Sequence, residues 1–243
     1  AHDVAQRPPH EAAFLVNSAE AVARGAGART MARTQRHQDQ PRPSRLRLPA
    51  RQATVVHDGS AFRLAAELRR RGYQVSEGPL LSASVPQAEP GQLAVIATRS
   101  GAARSERLRE WARQLCWNGA PVLAVGAAVG PVAELFGSLP SKAEPHAVSG
   151  RLADIQSASE GLFQGLRDEF RLALPAGDRF EAASLSAEFS ITASSRDGEL
   201  IGASHVFRPI HLLHAAALES QDTRSIVLEN LARFLRERGG RAF

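Results

Sequence analysis

The 243-residue chain predicts a doubly wound α/β fold: a mostly parallel sheet with helices on both faces and a β-hairpin late in the chain. Three stretches carry this expectation. Pro121-Val122-Leu123-Ala124-Val125-Gly126-Ala127-Ala128-Val129-Gly130 is an apolar strand without polar alternation, then a turn of small residues, then a helix start. Such a strand suits the centre of a parallel sheet covered on both faces. Thr54-Val55-Val56-His57-Asp58-Gly59, followed by apolar residues at helical spacing and another short apolar run, reads as strand, helix, strand. Asp197-Gly198 between two alternating runs marks a tight hairpin, because both residue types tolerate positive φ.

Composition narrows the class. Apolar residues make up 43% and charged residues 23%, ordinary for a globular protein. The formal charge is +5, yet nearly every basic residue is arginine and Lys142 is the sole lysine, a bias rather than a designed phosphate surface. A single cysteine, Cys116, excludes a disulfide framework and makes a reducing cytoplasm the expected location. No apolar run reaches the roughly 18 residues of a membrane span, and the charged start and apolar core of a signal peptide are missing. A chain that begins at Ala1 leaves a longer parent polypeptide open.

Residues 1–52 are expected to be a basic arm or linker, and residues 53–243 the main domain. Between residues 29 and 51 seven arginines face one acid, Asp39, which favours a solvated segment. Binding of nucleic acid or another anionic ligand through this arm is the second reading; no aromatic is present there to stack on a base. The main domain opens with the strand from Ala53, a polar turn, a helix over 62–71 ended by Gly72, and a strand starting at Tyr73. Residues 76–91, rich in Ser, Pro and Glu, read as a loop. Leu93-Ala94-Val95-Ile96-Ala97 is the next buried strand, and residues 98–103 are the loop at its carboxyl end. An amphipathic helix over 106–115 leads through Cys116 into the central strand. Cys116 stands ten residues before Gly126, at the sheet end away from ligands in open α/β folds, and is expected to be a buried structural thiol. Pro209-Ile210 and the apolar run to Ala217 form the last strand, and an amphipathic helix over 226–238 closes the chain.

The strand, turn and helix around Gly126 have the form of a nucleophile elbow, which holds a Ser or Cys at its tip in hydrolases of this architecture. The stretch resembles the segment P-V-x-G-V-C-L-G-H-Q-x-I-A-E-x-F-G of class I glutamine amidotransferases, especially those serving chorismate-utilising enzymes such as anthranilate synthase. Gly161-Leu162-Phe163-Gln164-Gly165-Leu166 matches that family's G-x-F-x-G-L, Asp197-Gly198-Glu199-Leu200-Ile201-Gly202 its D-G-x-I-M-G, and Leu231-Ala232-Arg233-Phe234-Leu235 its closing helix. The resemblance spans roughly residues 53–238.

It implies a flavodoxin-like amidotransferase fold from which the catalytic residues have been lost. Gly126 stands at the nucleophile. Arg99, Gly101 and Ala127 stand in the oxyanion region. Val129 and Gly130 replace His-Gln, and Phe180 and Glu181 follow Arg179 where R-Y-H-S lies, as remnants of a substrate site. Matching H-P-E-S to Ala217-Leu218-Glu219-Ser220 leaves Ala217 at the base and retains Glu219 as the carboxylate. His205 takes the place of a histidine outside the triad. His211 and His214, three apart on a strand-like run, are expected to point to opposite faces. The resemblance implies a chorismate-utilising synthase, as a separate subunit or fused domain, for partner, and neither cofactor nor metal.

Overall fold

The computed structural model describes residues 51–59, 62–80, 88–89, 91–99, 106–140, 150–175 and 179–239. The arm over 1–52 lies outside them except for Arg51 and Gln52, which begin the first strand, and so does Gly101. The described elements are β1 (Arg51–His57), α1 (Phe62–Arg70), β2 (Tyr73–Pro79), β3 (Leu93–Thr98), α2 (Glu106–Trp117), β4 (Val122–Gly126), α3 (Val129–Glu134), β5 (Arg151–Ser157), β6 (Glu169–Leu174), β7 (Phe189–Ser195), β8 (Leu200–His205), β9 (Ile210–Leu213), α4 (Ala216–Glu219) and α5 (Gln221–Gly239).

All nine strands join one sheet in the order β2-β1-β3-β4-β9-β8-β7-β5-β6. The first five run parallel, and from β9 outward every pairing is antiparallel. The doubly wound expectation holds, and the reason is visible in strand alternation. Val55, Val95, Leu123 and Leu213 pack on one face with Leu64 and Leu68 of α1 and Val227, Leu228 and Leu231 of α5. Val56, Ile96, Ala124 and Leu212 pack on the other with Leu108, Trp111 and Leu115 of α2 and Val129 and Val132 of α3. Both faces are covered, so the central strands need no polar positions.

Several boundaries differ from the sequence reading. β2 continues through Ser76, Glu77 and Gly78 to Pro79, paired along its length with β1. It is an edge strand, where a terminal proline costs no ladder bond. β5 and β6 have no counterpart in that reading: their residues alternate between exposed and buried, and pairing at the far edge holds them. β9 stops at Leu213 instead of running to Ala217. His214 turns the chain there by accepting the Ala216 N–H on Nδ1 at 3.2 Å, and Ala215-Ala216-Ala217 follows alanine's helical preference into α4. α5 starts at Gln221, five residues earlier than its apolar spacing indicates.

The matched motifs interlock. Phe163, fully buried, lies against Gly202 of β8, where a Cβ would overlap the ring: Cζ would stand at 2.9 Å and Cε2 closer still. Asn230 of α5 donates to the carbonyls of Leu162 (3.0 Å) and Gln164 (2.7 Å). Three segments distant in sequence therefore hold one another: a single-turn helix at Gly161–Phe163, the strand after the hairpin and the closing helix. At the hairpin itself Gly198 has φ of 86° and donates to the Ser195 carbonyl at 3.0 Å.

Candidate functional site

Ligands of open α/β folds bind outside the carboxyl ends of the parallel strands. Here that edge is formed by the ends of β1, β3, β4 and β9, with Gly126 at the tip of β4. Gly126 has φ of 66° and is followed by Ala127-Ala128 and α3, so the elbow geometry is present. What stands around it is closed. A Cβ on Gly126 would overlap the carbonyl oxygen of Thr98 and sit 3.6 Å from the Cβ of Ala215. The same Thr98 carbonyl accepts the N–H of Ala127 at 2.9 Å. The N–H of Arg99 donates to Asp58 Oδ2 at 2.9 Å. Both described backbone donors that the resemblance assigns to an oxyanion region are therefore already bonded, whereas stabilising an oxyanion requires donors aimed at where its charge develops.

Motif matching places Ala217, which has no imidazole, at the position of the base. Ala217 is fully buried inside α4. β9 pairs with β4 up to Val125 opposite Leu213, so His214 follows the last paired residue of β9 as Gly126 follows that of β4. The motif match passes over His214 because it stands three positions before Ala217. His214 is also fully engaged: Nδ1 accepts from Ala216, and Nε2 lies 3.4 Å from Glu199 Oε1. With Nδ1 accepting from the backbone, Nε2 is the ring nitrogen that faces Glu199. His211 lies on the opposite face, with its ring against Phe234 of α5 and Nδ1 2.8 Å from Ser204 Oγ. His205 packs among Phe136 and Phe189 and pairs with Glu188 at 3.0 Å.

Glu199 anchors a charged cluster that the sequence reading missed. Only 3% exposed, its carboxylate meets Arg151 Nη2 at 2.7 Å, Arg179 Nε at 3.3 Å and His214. Burial opposes its ionisation, but the bonds from His214 and Arg151 and the charge of Arg179 outweigh this and hold its pKa below the ordinary value. Arg151 and Arg179 also reach Asp197. Two guanidiniums thus balance two carboxylates, as burial of such a group requires. A glutamate directly after a hairpin Asp-Gly is the only hint in the sequence, and nothing there indicates its partners.

Asp197 titrates at about 2, held down first by its bond from Arg151, with burial opposing and Ser195 assisting. Its folded pKa lies below the ordinary 3.8, so its ionised form stabilises the fold above about pH 4, and that contribution fades as pH falls toward 2. Asp197→Asn is expected to be less stable than the parent at pH 7, with the gap closing between pH 4 and pH 2. Urea midpoints across that range test it; a gap that widens on acidification contradicts the assignment. The side chain is 43% exposed, so solvent screening keeps the difference small.

Of the residues that the resemblance implies for a substrate site, Gly130 and Phe180 approach each other. Val129 and Gly130 open α3, and a Cβ on Gly130 would stand 3.9 Å from Phe180, whose carbonyl accepts the Leu200 N–H. Glu181 bridges to Glu199 through the backbone. Phe180 is buried, so this corner is packed rather than open. The opening lies on the other side: a cavity of about 90 Å³ lined by Arg63, Leu64, Ala97, Thr98, Arg99, Val125, Ala215, Leu218, Glu219 and Arg224. Glu219 is exposed there. Among the described residues no cluster of three His, Cys, Asp or Glu side chains could hold a metal, and no helix is long and apolar enough to cross a membrane.

Cys116 ends α2 on the amino-terminal side of β4, 2% exposed, and burial pushes its thiol up to about 12 despite the opposing charge of Arg208. A thiol with so little thiolate is not a nucleophile at neutral pH. Folded protein at pH 8 is expected to resist iodoacetamide over a period in which urea-unfolded protein labels completely. Labelling of the folded chain at the rate of a free thiol would contradict the burial.

No protein-family model matches the sequence, and no curated protein matches it. Solved structures do. One assigned as part of a GMP synthase of Thermoplasma acidophilum is 21% identical with a TM-score of 0.60, covering 79% of this chain and 98% of that one. A glutamine amidotransferase of Thermotoga maritima is 12% identical with a TM-score of 0.57, over 78% of this chain and 86% of that one. A chain of PurLQS from Thermotoga maritima is 14% identical with a TM-score of 0.55, over 76% of this chain and 99% of that one. Similarity at this level establishes the fold, which is that of glutamine amidotransferase-type proteins.

Proposed function

We propose that this chain is an amidotransferase-like domain without glutaminase activity that serves a chorismate-utilising synthase of the anthranilate synthase type as an accessory or structural partner. The observation that carries the first half is the elbow. Glutamine hydrolysis needs a thiolate, a base that activates it and free donors for the oxyanion. Gly126 supplies no nucleophile, Ala127 and Arg99 have spent their N–H groups on Thr98 and Asp58, and His214 is tied to Ala216 and Glu199. Loss of such a unit leaves at most the rate that binding alone provides.

The second half rests on resemblance. The similar structures include one component of a synthase, and the segments at Gly161, Asp197 and Leu231 resemble motifs of the chorismate-linked group. A domain that has lost its chemistry retains its folded surface, and that surface is what a synthase would engage. Two measurements test the reading. Purified chain with glutamine is expected to release no ammonia above background; release that survives Cys116→Ala would overturn the inactive assignment. Calorimetry and size exclusion with a chorismate-utilising synthase from the same source are expected to show association at micromolar concentration or tighter. Absence of association there would overturn the accessory role while leaving the first half standing.

A further inference from the structure

The cavity beside the elbow has a charge pattern that the glutaminase comparison does not account for. Three arginines from separate parts of the fold line it: Arg63 in the first turn of α1, Arg99 directly after β3 and Arg224 of α5. Among the described residues the side chains of Arg63 and Arg99 have no carboxylate partner, and Arg224 Nη1 donates only to the Leu218 carbonyl at 3.2 Å. The one acid in the wall is Glu219. Elsewhere arginines of this protein are neutralised: Arg69 by Glu77, Arg71 by Glu67 and Glu229, Arg171 by Asp154, Arg179 by Asp197 and Glu199. An arginine-rich chain that pairs so many of its charges but lines one cavity with three arginines against a single carboxylate holds a net positive field there. Thr98, also in the wall and 2% exposed, buries a hydroxyl without a hydrogen-bond partner among the described residues.

We infer that this cavity binds a small oxyanion, the carboxylate or phosphate group of a soluble metabolite. The planar fork of arginine matches both groups in a bidentate manner, and low-dielectric walls of Leu64, Ala97 and Val125 strengthen each such bond. The volume of about 90 Å³ corresponds to about three waters, enough for the anionic group itself. The remainder of the ligand extends through the open mouth. The site lies at the carboxyl edge of β3 and β4, where an open α/β sheet presents its crevice. This inference does not depend on the synthase reading, since it concerns what the chain holds by itself.

The test is titration of the full chain, at low ionic strength, with inorganic phosphate and with malonate, followed by calorimetry and by thermal unfolding, with chloride as the control for general ionic effects. Saturable binding of at least one of the two is expected, with a rise in unfolding temperature that chloride does not reproduce. Preference for phosphate identifies a phosphate-bearing ligand, and preference for malonate a carboxylate. Arg63→Gln and Arg99→Gln are each expected to weaken binding about tenfold or more, the effect of removing one charge-assisted hydrogen bond. Arg171→Gln, which removes an arginine paired with Asp154 on β5, is expected to leave the affinity unchanged. Failure of both anions to saturate, or equal affinity of the parent and the Arg63 and Arg99 variants, overturns the site. Both of those side chains are largely exposed, so their loss leaves the fold intact for the comparison.

Discussion

Phe163→Ala is expected to destabilise the protein by about 3–5 kcal/mol, the usual cost of emptying a fully buried aromatic site. Gly202→Ala is expected to cost about 1–3 kcal/mol or more by overpacking, although alanine is ordinarily better tolerated than glycine within a strand. The cause is common to both. The ring of Phe163 occupies the space where a Cβ of residue 202 would be, so the two positions are one packing unit. Their effects will therefore not add: in the Phe163→Ala background, Gly202→Ala should cost little or become favourable. A urea-denaturation double-mutant cycle measures this directly. A coupling energy near zero would mean that the ring does not rest on Gly202, since residues in contact typically couple by about 0.5–3 kcal/mol.

Restoring the thiol is expected to fail. Gly126→Cys places a Cβ on a residue with φ of 66° and against the Thr98 carbonyl. The left-handed backbone costs a non-glycine residue about 1–2 kcal/mol, and displacement of a backbone oxygen in a packed site about 1–3 kcal/mol more. The expected variant is less stable by about 2–4 kcal/mol and releases no ammonia from glutamine. The oxyanion donors supply the second reason. Ala127 bonds the very carbonyl that the new side chain would push, and Arg99 remains bonded to Asp58. Denaturation midpoints and a coupled ammonia assay on Gly126→Cys test both parts. A variant as stable as the parent that hydrolyses glutamine would show that the loop from Thr98 to Arg99 moves freely, and the inactive reading would then rest on the missing thiol alone.

The two results answer different questions. The Phe163 and Gly202 pair concerns what the segments at Gly161 and Asp197 and the closing helix do for the fold: they hold the antiparallel half of the sheet to α5. The Gly126 variant concerns whether a thiol alone would equip this elbow for the reaction; the Thr98 carbonyl, the Ala127 and Arg99 N–H groups and the His214 ring all have other partners.

The sequence by itself determined the fold class and the order of the central elements. Runs such as Leu93-Ala94-Val95-Ile96-Ala97 and Val122-Leu123-Ala124-Val125 can be buried on both sides only at the centre of a parallel sheet. Spacing of Leu108, Trp111, Ala112 and Leu115 specifies a helix with one buried face. Local chemistry likewise sufficed at Asp197-Gly198 and at Gly126, where positive φ asks for glycine. Only the tertiary structure decided the rest. β5 and β6 exist because of pairing partners far along the chain, and edge strands with one solvated face carry a weak local pattern. Register between β4 and β9, which sets Val125 opposite Leu213, is likewise not legible in motif spacing. The Thr98 carbonyl at the elbow, the buried partners of Glu199 and the convergence of Arg63, Arg99 and Arg224 are all contacts between elements well separated in sequence. A residue's type states which bonds it can make, but which of them it makes is settled by what folding places within reach.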